Sequence, residues 1–302
     1  MGGEVTMLSA GLLSWRAHKT LRKTLDSYKR ANLMGAVDEF KIFFNEISAE
    51  DRELAKEYGV EATGSVENLG IWGGMDGAAA ALNGDYILLL QNDCPVISSP
   101  EETRKWLNEG VKLLESGKAD MIRMRHRFNQ GEGIDFGRFY SFSYVHELDE
   151  RHTKYNGELP AGATRDSLCK KLHRLFRPFA FLRRVIAVIH LEKHPEKVVP
   201  KYIKKEGDFY VVDSRIINFS EQPMLISKKL YQELSAFGHR RPCKAKVNGR
   251  PLLEITLNSW WWKHHHFRVA ICDEGVFTHN RFDDSFRPEH AAFNASISAE
   301  GR

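Results

Sequence analysis

The stretch GDYILLLQNDCPVI, Gly84 to Ile97, decides how this chain is read. Ile87, Leu88, Leu89 and Leu90 run straight into Gln91, Asn92 and Asp93, and Pro95 follows at once. A short continuous apolar run bounded by glycine and proline predicts a strand buried on both faces, as in a parallel sheet. In open α/β sheets, ligands bind outside the carboxyl ends of the strands. The polar triplet therefore falls where such a sheet keeps its chemistry.

The sequence before it alternates cleanly. EVTMLSAG (4–11) predicts a strand, Trp15 to Ala31 a helix with basic residues on its outer face, and FKIFFNE (40–46) a second strand. Ser48-Ala49-Glu50-Asp51 has the form of an N-cap with an acidic first turn, opening a helix to about Tyr58. A short strand near Val60 and a small-residue helix over 75–83 lead into the opening stretch. Strands and helices in this order imply a parallel sheet built by right-handed crossovers.

The second half is less regular. KADMIRMRHRF (118–128) predicts another strand, and 129–164 loops. From Arg165 to about Lys193 the pattern is helical, basic and aromatic. Residues 222–238 predict a strand followed by a helix, and Pro251 is placed in the first turn of a helix running to His266. RVAICD (268–273) is a last strand, and the chain after His290 reads as peripheral.

Composition sets outer bounds. With 302 residues, 42% hydrophobic and 28% charged, the chain has ample material for a core. A formal charge of only +4 gives no global case for nucleic-acid binding. Cys94, Cys169, Cys243 and Cys272 are scattered, without metal spacing, which suits a reducing, cytoplasmic compartment. Neither a signal peptide nor an apolar run of membrane-spanning length is evident. MGGEVT fits a short myristoylation pattern, but a strand is expected to begin almost at once, so the match is read as chance.

Four separated pieces carry a family resemblance. They are VTMLSAG (5–11), FFNEIS (43–48), ENLGIWGGMDGAAAALNGDYILLLQND (67–93) and LLEITLNSWWWKHHHFRVAICDEGVFTH (252–279). In order and spacing the chain resembles a glycosyltransferase of the GT-A fold, closest to the large family 2 type, over roughly 4–122 and 222–280. The resemblance implies an α/β, Rossmann-like, mostly parallel sheet flanked by helices, with a helical and loop insertion. It also implies one domain over 1–302: a nucleotide-sugar-binding half (4–122), an insertion (123–220), an acceptor and catalytic half (221–290) and a tail (291–302).

The same resemblance implies roles for residues. Asp93 stands at the last acid of the family's Asp-x-Asp, the metal ligand, and His279 at a late histidine that completes the metal or phosphate site. A divalent cation, Mn2+ or Mg2+, would neutralise the departing diphosphate as a Lewis acid. Gln91 and Asn92 replace a second carboxylate, so the metal is expected to bind weakly or only together with nucleotide. Ser9 and Gly11 match the donor-base loop, and Asn45 and Glu46 the strand end that contacts a uracil-like base. Asn68 and Gly70 match the family's Asn-x-Gly, and Arg281 is placed to pair with phosphate oxygens. Glu254 falls on the first acid of the family's Glu-Asp pair and is the expected base for the acceptor hydroxyl, Ile255 standing where the second acid would be. An acid early in a helix is also favoured by the helix dipole, which is the plainer reading of Glu254.

The implied partners are a nucleoside-diphosphate sugar, UDP-type favoured, and a glycan or lipid-linked acceptor. Lys170, Lys171, Arg174, Arg177, Arg183 and Arg184, interleaved with leucine and phenylalanine, fit either a peripheral membrane contact through 165–193 or a packed helix with a basic outer face. Trp260, Trp261 and Trp262 point in three directions on a helix, with core packing expected for at least one. His264, His265 and His266 are expected to form a solvated helix end. Two other functions stay open. A sugar nucleotidyltransferase would want a Gly-rich phosphate loop, which LSAGLLSWRAHK represents poorly, and a GT-A-like scaffold would explain Gln91 and Ile255.

Overall fold

A computed structural model of the chain describes residues 6–129, 194–198, 200–241, 246, 247, 249–258, 261, 262 and 265–280. Its strands are β1 (Leu8–Ser14), β2 (Glu39–Phe44), β3 (Glu61–Gly64), β4 (Tyr86–Gln91), β5 (Met121–Arg123), β6 (Ile203–Glu206), β7 (Phe209–Asp213), β8 (Met224–Ser227), β9 (Lys246–Val247), β10 (Arg250–Pro251) and β11 (Arg268–Cys272). The helices are α1 (His18–Arg30), α2 (Ala49–Glu57), α3 (Gly70–Ala81), α4 (Pro100–Glu115), α5 (Pro195–Val198), α6 (Lys228–Arg240) and α7 (Leu253–Leu257).

The fold is α/β, with a mostly parallel central sheet flanked by helices. Nine strands form the sheet in the order β3-β2-β1-β4-β8-β5-β11-β7-β6, and β9 and β10 pair separately. β1, β2, β3 and β4 are mutually parallel, and β5 is parallel to β11. β8 runs against both β4 and β5, and β7 runs against β11 and β6. The reversal of β8 matters for the site, because its amino end lies beside the carboxyl ends of β4 and β5.

β4 is an interior strand, between β1 and β8, and is covered on both faces, as its sequence demands. Ile87 and Leu89 join the core beneath α3 and α6, while Leu88 and Leu90 join the core beneath α1 and α4. Burying each such side chain stabilises the fold by about 1.5–3 kcal/mol. On α1 the buried positions are Thr20, Leu21, Thr24, Leu25, Ser27 and Tyr28, a single stripe at helical spacing, and Lys29 and Arg30 complement the dipole at its end. The small residues of α3 let it lie close on the sheet: a Cβ at Gly77 would collide with the ring of Phe43.

Several boundaries differ from the sequence expectations. β1 begins at Leu8 and runs on to Ser14, three residues beyond the expected end, because Leu12 and Leu13 continue the buried run. α3 begins at Gly70 rather than 75. An unforeseen helix, α4, follows β4; Ser99 and Glu102 cap it reciprocally, with Pro100 in its first turn. β5 is only three residues long. Inside the expected insertion, β6 and β7 form a hairpin that turns at Gly207, φ +60°. Pro251 pairs in the short β9–β10 ladder instead of opening a long helix, and α7 covers only Leu253–Leu257.

The histidine run is also corrected. His265 and His266 are buried: His266 Nδ1 lies 3.1 Å from Asp213 Oδ2, and His265 contacts the carbonyl of Trp261. Trp261 and Trp262 are core residues, as expected of at least one member of that run, whereas Trp260 and His264 lie outside the described residues. The basic stretch 165–193 lies outside them as well, as does nearly all of 129–164. Among the described residues, no helix is long and apolar enough to cross a membrane.

Candidate functional site

Beyond β4 the chain turns as Cys94 N donates to Gln91 O, 3.1 Å, and then pairs with a late segment running the other way. Ile97 N donates to Val276 O, Thr278 N to Pro95 O and Asn280 N to Asp93 O, at 2.8–3.0 Å. This ladder holds His279 over Asp93, with Nε2 3.2 Å from Oδ2 and both side chains buried. Two of the expected site residues, far apart in sequence, thus meet at the carboxyl edge of the sheet. Arg281 lies outside the described residues.

The same late segment pairs on its other side with the chain after β5. Val276 N donates to Met124 O and His126 N to Phe277 O, both at 2.8 Å. Arg125 is thereby set near Asp93 and Cys94 and donates to Gln222 Oε1. Burial draws its guanidinium down to about 10, against the opposing pull of Cys94 and Asp93. Burial likewise pushes the Cys94 thiol well up, so it is no thiolate at neutral pH. Gln91 is half-buried at the strand end, and its side chain makes no hydrogen bond among the described residues. Asn92 is tied to β1 through its N–H to Leu13 O, 3.0 Å, and its amide to Ser14 Oγ, 3.3 Å.

A second group gathers where β1 and β2 end. Glu46 accepts from Trp15 Nε1 at 3.2 Å and from Arg16 Nη2 at 2.6 Å. Arg16 and Glu46 both have left-handed backbones, φ 50° and 59°. Non-glycine residues rarely adopt this conformation, and such positions gather at functional sites. Beside them opens a basic cavity of about 760 Å³ lined by Arg16, His18, Lys19, Arg22, Lys23, Ser48 and Glu50.

Three other expected donor residues hold the framework. Asn45 donates to Gly70 O at 2.9 Å and accepts from Leu69 N at 3.3 Å, so its amide is spent on shaping the start of α3. Asn68 Oδ1 accepts from Gly70 N at 2.8 Å. Gly70 has φ +76°, and a Cβ there would stand 2.7 Å from Arg250 Cδ.

Ser9 and Gly11 do not reach the site. With β1 running to Ser14, Ser9 lies at the amino end of the strand, fully buried, donating to Glu39 Oε2 at 2.7 Å and accepting from Gly84 N at 2.9 Å. Burial works to raise the Glu39 carboxyl, but Ser9, Asn83 N–H and Lys41 outweigh it and hold it at about 2. Gly11 is mid-strand, where a Cβ would approach Leu82 at 3.1 Å. Both are packing residues.

Glu254, in the first turn of α7, is held through one oxygen. Oε1 accepts from Ser220 Oγ at 2.8 Å and from Glu221 N at 2.7 Å, leaving Oε2 without a hydrogen bond among the described residues. Glu221 itself is buried, and its Oε1 has no partner among the described residues. Burial, then the nearby charges of Glu254 and Asp76, push its carboxyl well above the usual range. Asp76 on α3 accepts from Tyr231 OH at 3.1 Å and Ser235 Oγ at 2.6 Å, and pairs with His239 Nε2 at 2.8 Å. Gln222 joins this group to Arg125 and Asp93, so the carboxyl edge carries one continuous polar strip.

No protein-family model and no curated protein sequence matches this chain. Solved structures do. The chain is similar to residues 1–349 of S. aureus TarS, at 11% identity and a TM-score of 0.44, with 91% of this chain and 60% of that one covered. It is also similar to glucosyl-3-phosphoglycerate synthase from Mycobacterium tuberculosis, solved with Mn2+, uridine diphosphate and glucosyl-3-phosphoglycerate: 18% identity, TM-score 0.31, 47% of each chain. A third is the mannosyltransferase PcManGT from Pyrobaculum calidifontis with GDP-Man and Mn2+, at 10% identity, TM-score 0.33, covering 41% of this chain and 37% of that one. The chain spans about three-fifths of the first and less than half of the other two.

Trp15, Arg16, Arg125, Asp76 and Glu221 were not expected at the site. Trp15 and Arg16 carried a readable signal, since they follow β1 directly once its true end at Ser14 is known. Glu221 carried none, because its surroundings are made by α3, α6 and α7, all remote in sequence or separated by a turn.

Proposed function

We propose that this chain is a glycosyltransferase that moves a sugar from a nucleoside diphosphate to an acceptor hydroxyl. The observation that supports it is the buried Asp93–His279 pair at the carboxyl edge, on the same strip as a carboxylate, Glu254, with one free oxygen. One carboxylate and one imidazole fit a divalent cation that takes its remaining ligands from phosphate oxygens and water. No third His, Cys, Asp or Glu joins them among the described residues. When bound, the cation, Mn2+ or Mg2+, would supply Lewis-acid stabilisation to the leaving diphosphate.

The protein's own residues do the rest. Asp93 and His279 orient the diphosphate; Gln91, with an uncommitted amide, and Arg125 border it. The Trp15–Arg16–Glu46 corner takes the base and ribose, and a uridine nucleotide is favoured. Glu254 Oε2 accepts the proton of the acceptor hydroxyl as the glycosidic bond forms, while Ser220 and the Glu221 N–H keep the carboxylate aimed. Attack from the face opposite the leaving diphosphate inverts the anomeric carbon. The acceptor is a glycan or lipid-linked glycan, approached with 165–193 against a membrane surface on the cytoplasmic side.

Thermal unfolding with UDP, GDP, CDP and dTDP, each with and without Mn2+, tests this reading. One nucleotide is expected to raise the melting temperature in a Mn2+-dependent way, with the effect lost in Asp93→Ala. No shift with any of the four would favour a non-catalytic scaffold instead.

A further inference from the structure

We infer that Glu221 is a second functional carboxyl of the site, one that binds a sugar hydroxyl next to the hydroxyl-activating Glu254. The inference rests on the transferase reading above. Glu221 is only 2% exposed, yet its Oε1 has no hydrogen-bond partner among the described residues. Buried polar atoms are seldom left unmatched, and each exception calls for an explanation. Here the explanation must suit a carboxyl whose own backbone N–H already holds Glu254 at 2.7 Å.

A cation between the carboxyls is the first alternative. Among the described residues, no three His, Cys, Asp or Glu side chains converge to hold a metal. A hydroxyl suits the place better, since it donates through its hydrogen and accepts through its oxygen. Glu221, whose carboxyl is pushed well up by burial and by the neighbouring Glu254 and Asp76, offers one O–H and one carbonyl oxygen when it carries a proton, and the Glu254 oxygen left over stands beside it as an acceptor. The ligand class is therefore a sugar or polyol, supplied either by the donor or by the acceptor.

Position supports this. Glu221 precedes β8, whose Met224 pairs with Leu89 of β4 and with Arg123 of β5. The antiparallel course of β8 carries Glu221 past the end of β4, onto the edge that bears Asp93. A buried acid at the opposite edge would have no such neighbours.

The experiment uses the full chain, with Glu221→Met, which keeps the shape and removes both oxygens, and Glu221→Gln, which keeps the shape and hydrogen-bonding groups. Affinities for UDP, UDP-glucose, GDP and GDP-mannose are measured with Mn2+ by calorimetry, and donor hydrolysis and transfer to glycerol and methyl glucoside by product analysis. If the donor supplies the hydroxyl, Glu221→Met weakens the nucleotide sugar about tenfold and leaves the nucleoside diphosphate unchanged. If the acceptor supplies it, donor affinity and hydrolysis stay, and the KM for glycerol or methyl glucoside rises about tenfold. In both cases Glu221→Gln stays close to wild type, and Glu221→Met melts no lower than wild type. A heat-stable Glu221→Met with unchanged sugar affinity and unchanged KM overturns the inference while leaving the transferase intact. Wild-type protein that binds none of these four, and neither CDP nor dTDP, removes the transferase reading and this inference with it.

Discussion

His279 Nε2 lies 3.2 Å from Asp93 Oδ2, and the backbone enforces the contact, since Asn280 N donates to Asp93 O at 2.8 Å and Thr278 N to Pro95 O at 3.0 Å. The pair is thus built before any ligand arrives. Even a hydrogen-bonding neighbour of a metal ligand alters affinity by about 10- to 100-fold. Losing the imidazole in His279→Ala is therefore expected to weaken Mn2+ binding in the presence of nucleotide by at least about 100-fold. Electron spin resonance of free Mn2+ would read this directly, and an unchanged titration would exclude His279 as a ligand.

Glu254→Gln keeps the hydrogen bonds from Ser220 and Glu221 N within reach of its side-chain oxygen but cannot take a proton. Transfer is expected to fall by about 100- to 10,000-fold, the usual range for a general base. Nucleotide-induced stabilisation should stay at its wild-type value. A variant that keeps more than a tenth of its kcat would move the base elsewhere.

Glu221 predicts a pH dependence of stability. Its folded carboxyl is raised above the unfolded value, first by burial and then by Glu254 and Asp76. The folded state therefore holds a proton that the unfolded chain has already released, and stability declines as pH rises above the ordinary carboxyl value. The slope contributed by this one group is about 1.4 kcal/mol per pH unit at most, until the folded carboxyl ionises. Urea midpoints measured from pH 5 to pH 8 should fall more steeply for wild type than for Glu221→Gln. Parallel curves would mean that Glu221 is ionised throughout.

Asp76 welds α3 to α6 through Tyr231, Ser235 and His239. In Asp76→Ala the buried Tyr231 hydroxyl and Ser235 Oγ lose an acceptor. Each such orphan costs about 1–3 kcal/mol, so a loss of roughly 2–6 kcal/mol in urea unfolding is expected. Adding Tyr231→Phe should recover part of it, because the pair is coupled. Simple additivity of the two changes would argue against the weld.

The sequence was most informative where one element carried its own signal. The run Ile87–Leu90, bounded by glycine and proline, read as a strand covered on both faces, and it placed Asp93 at the carboxyl edge of the sheet. Periodicity was less useful for register: Leu12 and Leu13 prolong β1 to Ser14, which removes Ser9 and Gly11 from the edge and puts Trp15 and Arg16 on it. α4 is written in Ser99-Pro100-Glu101-Glu102, a capping sequence with proline in the first turn. The long helix expected from Pro251 failed for a tertiary reason, since Arg250–Pro251 is claimed by a ladder with Lys246–Val247. Glu221 was illegible for a similar cause, because only the approach of Glu254 and Asp76 gives it a character.

The sheet's two outer strands bear on how the molecule behaves in company. On β3, Glu61 is exposed and lies 3.3 Å from Lys41; on β6, Lys204 and Lys205 are exposed in succession. An uncovered strand edge offers a template on which another chain can add, and charge placed there discourages it. A second copy laid against β6 would bring lysine against lysine. Among the described residues the nine-stranded sheet thus ends in charge at each margin, and Lys204→Val with Lys205→Val should make the protein cloud sooner as it is concentrated.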